Sequence, residues 1–339
     1  MRANSRSNSP SAPFDVMAVG DVAADVFMRL DSSLVETDAL GRHSIVLPLG
    51  AKIPFSGATV IPAGGNAANA AVCAARLGLH VGLISYVGGD GSGREVVAGL
   101  EAEAVDTRLV RVDPGVPTNR HFVLWCGDDR TILVHHQRYD YHWPYLRPSE
   151  VPRWVYLTSA GEHALSYHDQ LADWLDEHPE VRLAFQPGTF QIAAGAERLA
   201  RLYRRSDVLV CNREEAVTIG GGDFRDVDDL LECLRRLGPR IAVVTDGPRG
   251  ADAADGQRRY YAPAVPDALP PVDRTGAGDA FAATCVAALV IGHGIADALS
   301  WAAINAASAV SAVGAQAGLL REKELLERVE QRGAGDTVP

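Results

Sequence analysis

From residue 15 onward, apolar runs of strand length alternate with amphipathic stretches of helix length. Asp15 to Gly20 (DVMAVG) reads as a first buried strand, the alanine-rich stretch Asn66 to Leu77 as a helix, and Val81 to Tyr86 as the next strand. Further strand-like runs are Val155 to Thr158, Arg182 to Phe185, Val208 to Cys211 and Ile241 to Thr245, with helical periodicity at Tyr167 to Glu177 and Val227 to Leu237. This alternation predicts an α/β fold on a mostly parallel sheet. Near the end, the run Ala282 to Ile291 predicts a buried helix, followed by another from Ala296 to Ala312. Two segments break the rhythm. Ser44 to Ile61 holds two short apolar runs separated by Gly and Pro, and Asn119 to Gln137 reads as a hairpin turning at Gly127-Asp128-Asp129. Lid strands at about 44–62 and 118–138, or ordinary edge strands of the main sheet, fit this pattern equally well.

The richest chemistry lies at 273–281, Asp-Arg-Thr-Gly-Ala-Gly-Asp-Ala-Phe, immediately before the apolar run. A helix start leaves its first N–H groups unpartnered and carries a partial positive charge. Gly276 and Gly278 permit close approach of backbone to a ligand, so these N–H groups are suited to a phosphate or a developing oxyanion. Asp279 in the same turn sits where a base takes a proton from an attacking hydroxyl; a simple helix cap is the other reading.

Bulk properties narrow the classes. A chain of 339 residues, 47% hydrophobic and 22% charged, has the composition of a soluble globular protein. Its net charge of −11 argues against binding nucleic acid through bulk electrostatics. No apolar run reaches the roughly 18 residues of a membrane span. Residues 1–13 are polar and read as a disordered tail preceding a domain at 14–335. Five scattered cysteines without CxxC spacing make zinc and a disulfide framework poor explanations and point to a cytoplasmic setting. The only lysines are Lys52 and Lys323, and neither stands in Gly-Lys-Ser/Thr, which excludes a P-loop. The glycines at 88, 89, 91 and 93 do not spell a dinucleotide fingerprint.

Four weaker features accompany the 273–281 segment. Gly64-Gly65-Asn66-Ala67-Ala68-Asn69 opens a helix with donors and acceptors suited to hydroxyls. Val87-Gly88-Gly89-Asp90 follows a strand. Asn212-Arg213-Glu214-Glu215 lies just past another, where open α/β sheets bind ligands and where Mg²⁺ keeps its water shell; a capping box is the local alternative. Val244-Thr245-Asp246-Gly247, with Gly250, forms a turn able to face a nucleotide's phosphates.

Together, in this order, these segments resemble the ribokinase-like (PfkB) carbohydrate kinase family over about residues 15–320; GGNAANAA and DRTGAGDAF match its two diagnostic motifs. The resemblance implies a ribokinase-like, doubly wound α/β core with a small β-sheet lid, and transfer of the γ-phosphoryl of ATP to a hydroxymethyl group of a sugar or nucleoside. By the same resemblance, Asp279 is the base, and the amides of Gly276, Ala277 and Gly278 are the anion hole. Asn212 and Glu215 support Mg²⁺ through water, and Thr245, Gly247 and Gly250 meet the nucleotide. Asp25, Gly64, Gly65 and Asn69 hold the acceptor. The segment Trp301 to Gly318, with Asn305 and Gly314, is the adenine side, and carbonyls near Asp273 and Thr275 are a monovalent-cation (K⁺) seat. Arg138, in the unmatched run His135 to His142, is a candidate for an anionic substrate, against a solvated hairpin end. The family's ribose-specific members carry Lys where Asn66 stands and Asn where Ala23 stands, so ribose is not implied. A sugar kinase, a nucleoside kinase, a sugar-phosphate kinase (which needs a cationic cluster, with only Arg120, Arg138 and Lys52 near the expected lid) and a non-catalytic sugar-binding protein remain the readings, and an exposed lid edge suggests a homodimer.

Overall fold

The computed structural model describes residues 13–126, 129–224, 226–266 and 272–335. The expected disordered tail, Pro13 apart, and Gly127 and Asp128 of the expected hairpin turn lie outside these residues. The short apolar runs pair in register into a nine-stranded sheet. Val16–Val19 pairs in parallel with Val81–Gly88 on one side and Trp154–Leu157 on the other. Arg182–Phe185, Val208–Asn212 and Ile241–Thr245 continue in parallel beyond Trp154–Leu157. Ala251–Ala254 and Arg259–Ala262 close that edge antiparallel, while Val110–Asp113 closes the other edge in parallel. Strand order therefore reverses at Val16–Val19. Such a reversal opens a crevice at the carboxyl ends of the strands, which is where ligands of open α/β sheets bind.

Alternate residues of each strand feed two helical layers. Val16 and Ala18 face a core shared with the helices Asn66–Arg76, Ala277–Ile291 and Ile295–Ala309. Met17 and Val19 face a second core with Leu165–Glu177 and Val227–Arg236. The helix Ala277–Ile291 is apolar around its whole circumference because it is buried between the sheet and its neighbours. The helix expected to reach Ala312 ends at Ala309.

A separate four-stranded sheet has the order Gly57–Gly64, Ala23–Leu30, Arg120–Cys126, Asp129–His135. Its outer pairs are antiparallel and its central pair is parallel. The two rhythm-breaking segments thus leave the main sheet, with two corrections. Of residues 44–62, only those from Gly57 on join this sheet, because His43–Ile45 pairs with Val35–Thr37 in a two-stranded ribbon. The strand Ala23–Leu30 was not anticipated; it follows the first strand after only Gly20-Asp21-Val22, and it buries Ala23, Ala24 and Phe27.

Candidate active site

Gly276 heads the helix Ala277–Ile291 at φ +80, a left-handed conformation that favours glycine, and an added Cβ would come within 2.5 Å of the Ala315 Cα. The turn it makes leaves the first-turn N–H groups without helical partners. Asp279 stands in that turn, ringed by three side-chain amides. Its Oδ1 accepts from Asn66 Nδ2 at 3.1 Å and from Gln186 Nε2 at 3.0 Å, and its Oδ2 accepts from Asn69 Nδ2 at 2.7 Å. Two of these amides are themselves oriented. Tyr156 donates its hydroxyl to Gln186 Oε1 at 2.5 Å, and Gln316 Nε2 donates to Asn69 Oδ1 at 3.0 Å, so both nitrogens face the carboxylate. The residue keeps some exposed surface, but its carboxylate is enclosed. Burial pushes the carboxyl above its ordinary value, the Asn69 and Gln186 amides draw it back, and the charge of Asp25 raises it further.

Beside this helix start lies a cavity of about 480 Å³. Thr245, Gly247 and Gly250 line one wall, and Ala277, Gly278 and Phe281 another. Small residues of the next helix, Ala303, Ala306 and Ala307, form the floor. Asn305 is not part of it. Helical spacing turns it to the opposite face, where it is fully buried, donates to Thr284 Oγ1 at 2.8 Å and accepts from Leu320 N at 2.9 Å. Gly314 also lies away from the cavity: its N–H donates to Asp273 Oδ2 at 2.9 Å, and it abuts Ile61 of the smaller sheet. Asp273 Oδ1 accepts from the Thr275 N–H at 2.8 Å, while the buried Thr275 Oγ1 has no partner. Arg274, which lines the cavity, was missed although it stands inside the motif. A larger hollow of about 1060 Å³ beside Trp154, Trp174 and Arg182 sits at the opposite, N-terminal edge of the strands and contains none of these residues.

Asn212 and Glu215 do form the capping box that opens Arg213–Gly220. The Glu215 N–H donates to Asn212 Oδ1, and the Asn212 N–H to Glu215 Oε2, each at 2.9 Å. One carboxylate oxygen of Glu215 stays outside the box. Burial raises the Glu215 carboxyl, offset in part by the Asn212 N–H and reinforced by the charges of Asp279 and Glu214. A hard cation such as Mg²⁺, which takes oxygen ligands and keeps several waters, suits this donor set, and among the described residues no cluster of three His, Cys, Asp or Glu side chains would hold a metal by itself.

On the other side of Asp279, Asp25 rises from the smaller sheet. Gly64 makes room for it, since an added Cβ would lie 2.5 Å from the Asp25 Cγ and closer still to Oδ2. Gly65 caps the helix carrying Asn66 and Asn69. Arg138 points outward: it is exposed, and its Nε donates to His163 Nε2 at 2.7 Å. Sequence reasoning missed Gln186, Asp21, His121 and His136. Gln186 follows a strand with no motif around it, and the two histidines reach the crevice only because the smaller sheet folds over it.

A family model described as pfkB family carbohydrate kinase matches residues 56–322. Among curated proteins, a ribokinase from Bacillus subtilis (strain 168) is 28% identical over 287 residues, covering 81% of this chain and 92% of the relative. A fructokinase from Klebsiella pneumoniae is 30% identical over 258 residues, covering 70% and 80%. Among solved structures, Arabidopsis thaliana ribokinase complexed with ribose and ATP superposes with a TM-score of 0.74 at 22% identity, covering 93% of this chain and 98% of that one. Methanocaldococcus jannaschii nucleoside kinase gives 0.73 at 20%, covering 93% and 98%. These two share the fold. With the diagnostic motifs gathered round one crevice and the family model spanning most of the chain, this protein belongs to the pfkB family of carbohydrate kinases and is a phosphotransferase acting on a sugar-type alcohol.

Proposed function

We propose that residues 14–335 form one kinase domain that transfers the γ-phosphoryl group of Mg-ATP to a hydroxymethyl group of a sugar, with Asp279 as base. The observation carrying this is the enclosed Asp279 carboxylate at the mouth of a glycine-headed helix, between a nucleotide-sized cavity and Asp25. ATP occupies the cavity with its phosphates toward the 276–278 amides, whose N–H groups neutralise charge on the moving phosphoryl group. Asp279 takes the acceptor's proton as the new O–P bond forms and the bond to the β-phosphate oxygen breaks, so ADP leaves. A carboxyl raised by burial is a better proton acceptor when ionised than an exposed one. Mg²⁺, when bound, supplies charge neutralisation; Glu215, with Asn212, would hold its water shell. The unpartnered Thr275 hydroxyl supports a monovalent-cation seat beside Asp273, to be tested by the K⁺ dependence of turnover.

Sugar is favoured over nucleoside because three large rings able to stack on a base, those of Tyr139, Trp143 and Trp125, are already covered. Tyr139 packs on Tyr86 and Tyr141, Trp143 on Tyr167 and Trp174, and Trp125 lies under the Arg29 guanidinium. Exposed Val60, Leu133 and Val134 on the smaller sheet support pairing of two copies there, measurable by light scattering. The function is tested by ADP release at fixed Mg-ATP across a panel of sugars and nucleosides. Release stimulated by no acceptor overturns it; stimulation by nucleosides alone replaces sugar with nucleoside.

A further inference from the structure

We propose that His121 and His136, carried over the crevice by the smaller sheet, are specificity-determining residues that read the hydroxyls of an uncharged polyol acceptor. This rests on the kinase reading above and names the substrate class of the same site. His121 is the second residue of the strand Arg120–Cys126, and His136 follows the end of the paired strand Asp129–His135, so the antiparallel register brings them to the same end of the sheet. Their ring centroids lie 5.4 Å apart. Each ring is held by a different carboxylate of the segment Gly20 to Asp25. His136 Nδ1 lies 2.7 Å from Asp21 Oδ2, and His121 Nδ1 lies 3.1 Å from Asp25 Oδ1.

Asp21 is a fixed post. It is 4% exposed and also accepts from the Tyr141 hydroxyl and, at 2.9 Å, from the Gly161 N–H. A carboxylate only accepts, so His136 Nδ1, bonded to Asp21, carries a proton and its Nε2 is left as the acceptor. His121 Nε2 is buried and has no protein partner. Asp25 Oδ1 is likewise buried without a hydrogen bond of good geometry, despite its approach to His121. Two orphaned buried polar atoms in one dyad, close enough to Asp279 for the Asp25 charge to raise its carboxyl, call for a ligand with adjacent hydrogen-bonding groups. Vicinal hydroxyls meet that need, since a hydroxyl donates to an imidazole lone pair or accepts from an N–H as the ring requires.

Charge decides the class. Asp25 and Asp279 stand on this side of the crevice with Asp21 buried behind His136, and among the described residues no lysine or arginine pairs with any of them; their partners are histidine, tyrosine and amides. An acceptor bearing its own carboxylate or phosphate would meet three like charges at low dielectric. Arg138 is exposed and bonded to His163, and Arg120, next to His121 in the chain, is exposed and bonded to Ser92. The acceptor is therefore an uncharged sugar.

The test uses the full chain and the uncharged sugar most active in the panel, with its sugar-acid and phosphorylated counterparts. Glutamine places an amide where Nε2 stood, whereas asparagine mimics Nδ1 and keeps only the contact to Asp25. His121→Asn and His121→Ala should raise the acceptor KM about 10–100-fold, the usual cost of leaving a buried polar group unpaired, with the ATP KM unchanged. His121→Gln should recover most of that loss, and His136→Ala should raise acceptor KM similarly. The charged counterparts should be poor substrates for the wild type. Rescue by asparagine as complete as by glutamine would show a merely structural histidine and overturn the proposal. So would an acceptor KM indifferent to all the variants, or a wild type that prefers the sugar acid. A wild type inert toward every acceptor would instead overturn the kinase reading on which this rests.

Discussion

Replacing Asp279 by asparagine removes one proton acceptor and keeps nearly the same shape. Loss of a positioned general base costs about 10²–10⁴-fold in rate. The structure adds two opposing effects on stability. Asn69 Oδ1 is held by Gln316 and Gln186 Oε1 by Tyr156, so neither amide rotates freely to offer its oxygen. The new amide NH₂ therefore faces a donor, and a lost hydrogen bond costs about 0.5–1.5 kcal/mol. Against this, the folded carboxyl lies above its unfolded value. Its contribution to stability is full below the unfolded carboxylate range and is lost as pH rises through the folded value, so at neutral pH the ionised group is a liability that asparagine removes. Folding stability should stay within about 1 kcal/mol of wild type by urea titration, because terms of similar size cancel. The assay is ADP release at saturating acceptor, with nucleotide binding followed by calorimetry. Wild-type kcat/KM should fall as pH drops through a value above the ordinary aspartate range. Turnover within tenfold of wild type, or nucleotide affinity lost along with turnover, would refute the assigned role.

Three further outcomes are expected. Gly64→Ala forces the Asp25 carboxylate aside and should raise acceptor KM at least about tenfold, with about 1–3 kcal/mol of destabilisation from overpacking and no change in ATP KM; steady-state kinetics and denaturation measure both. Glu215→Gln keeps an oxygen for the Asn212 N–H and hence the cap, yet should raise the Mg²⁺ needed for half-maximal ADP release about 10-fold; an unaltered Mg²⁺ titration would remove Glu215 from the metal's surroundings. Ala307→Leu extends into the 480 Å³ cavity and should raise ATP KM about tenfold while sugar binding, read by calorimetry without nucleotide, is untouched.

Several elements were legible because short-range physics writes them into the chain. The strands Arg182–Phe185 and Ile241–Thr245 fall where their apolar runs predict. The glycines of 276–278 mark a helix start that no ordinary residue would tolerate at Gly276. Asn212 and Glu215 carry a cap within one turn. Composition and motif order also led to the family. The sequence did not disclose which residues meet across long separations. Gln186 stands 93 residues from Asp279, and Asn69 stands 210 away, yet both bond to it. His121 and His136 reach Asp25 and Asp21 only because the strand Ala23–Leu30 leaves the main sheet and pairs with Arg120–Cys126. Asn305 shows the reverse case, a residue placed on the right helix whose azimuth, set by packing against Thr284, turns it inward. Periodicity and backbone chemistry are local and survive in one dimension; the pairing of strands and the face a helix buries are settled by which arrangement leaves least apolar surface and fewest orphaned polar atoms, and that is a property of the folded whole.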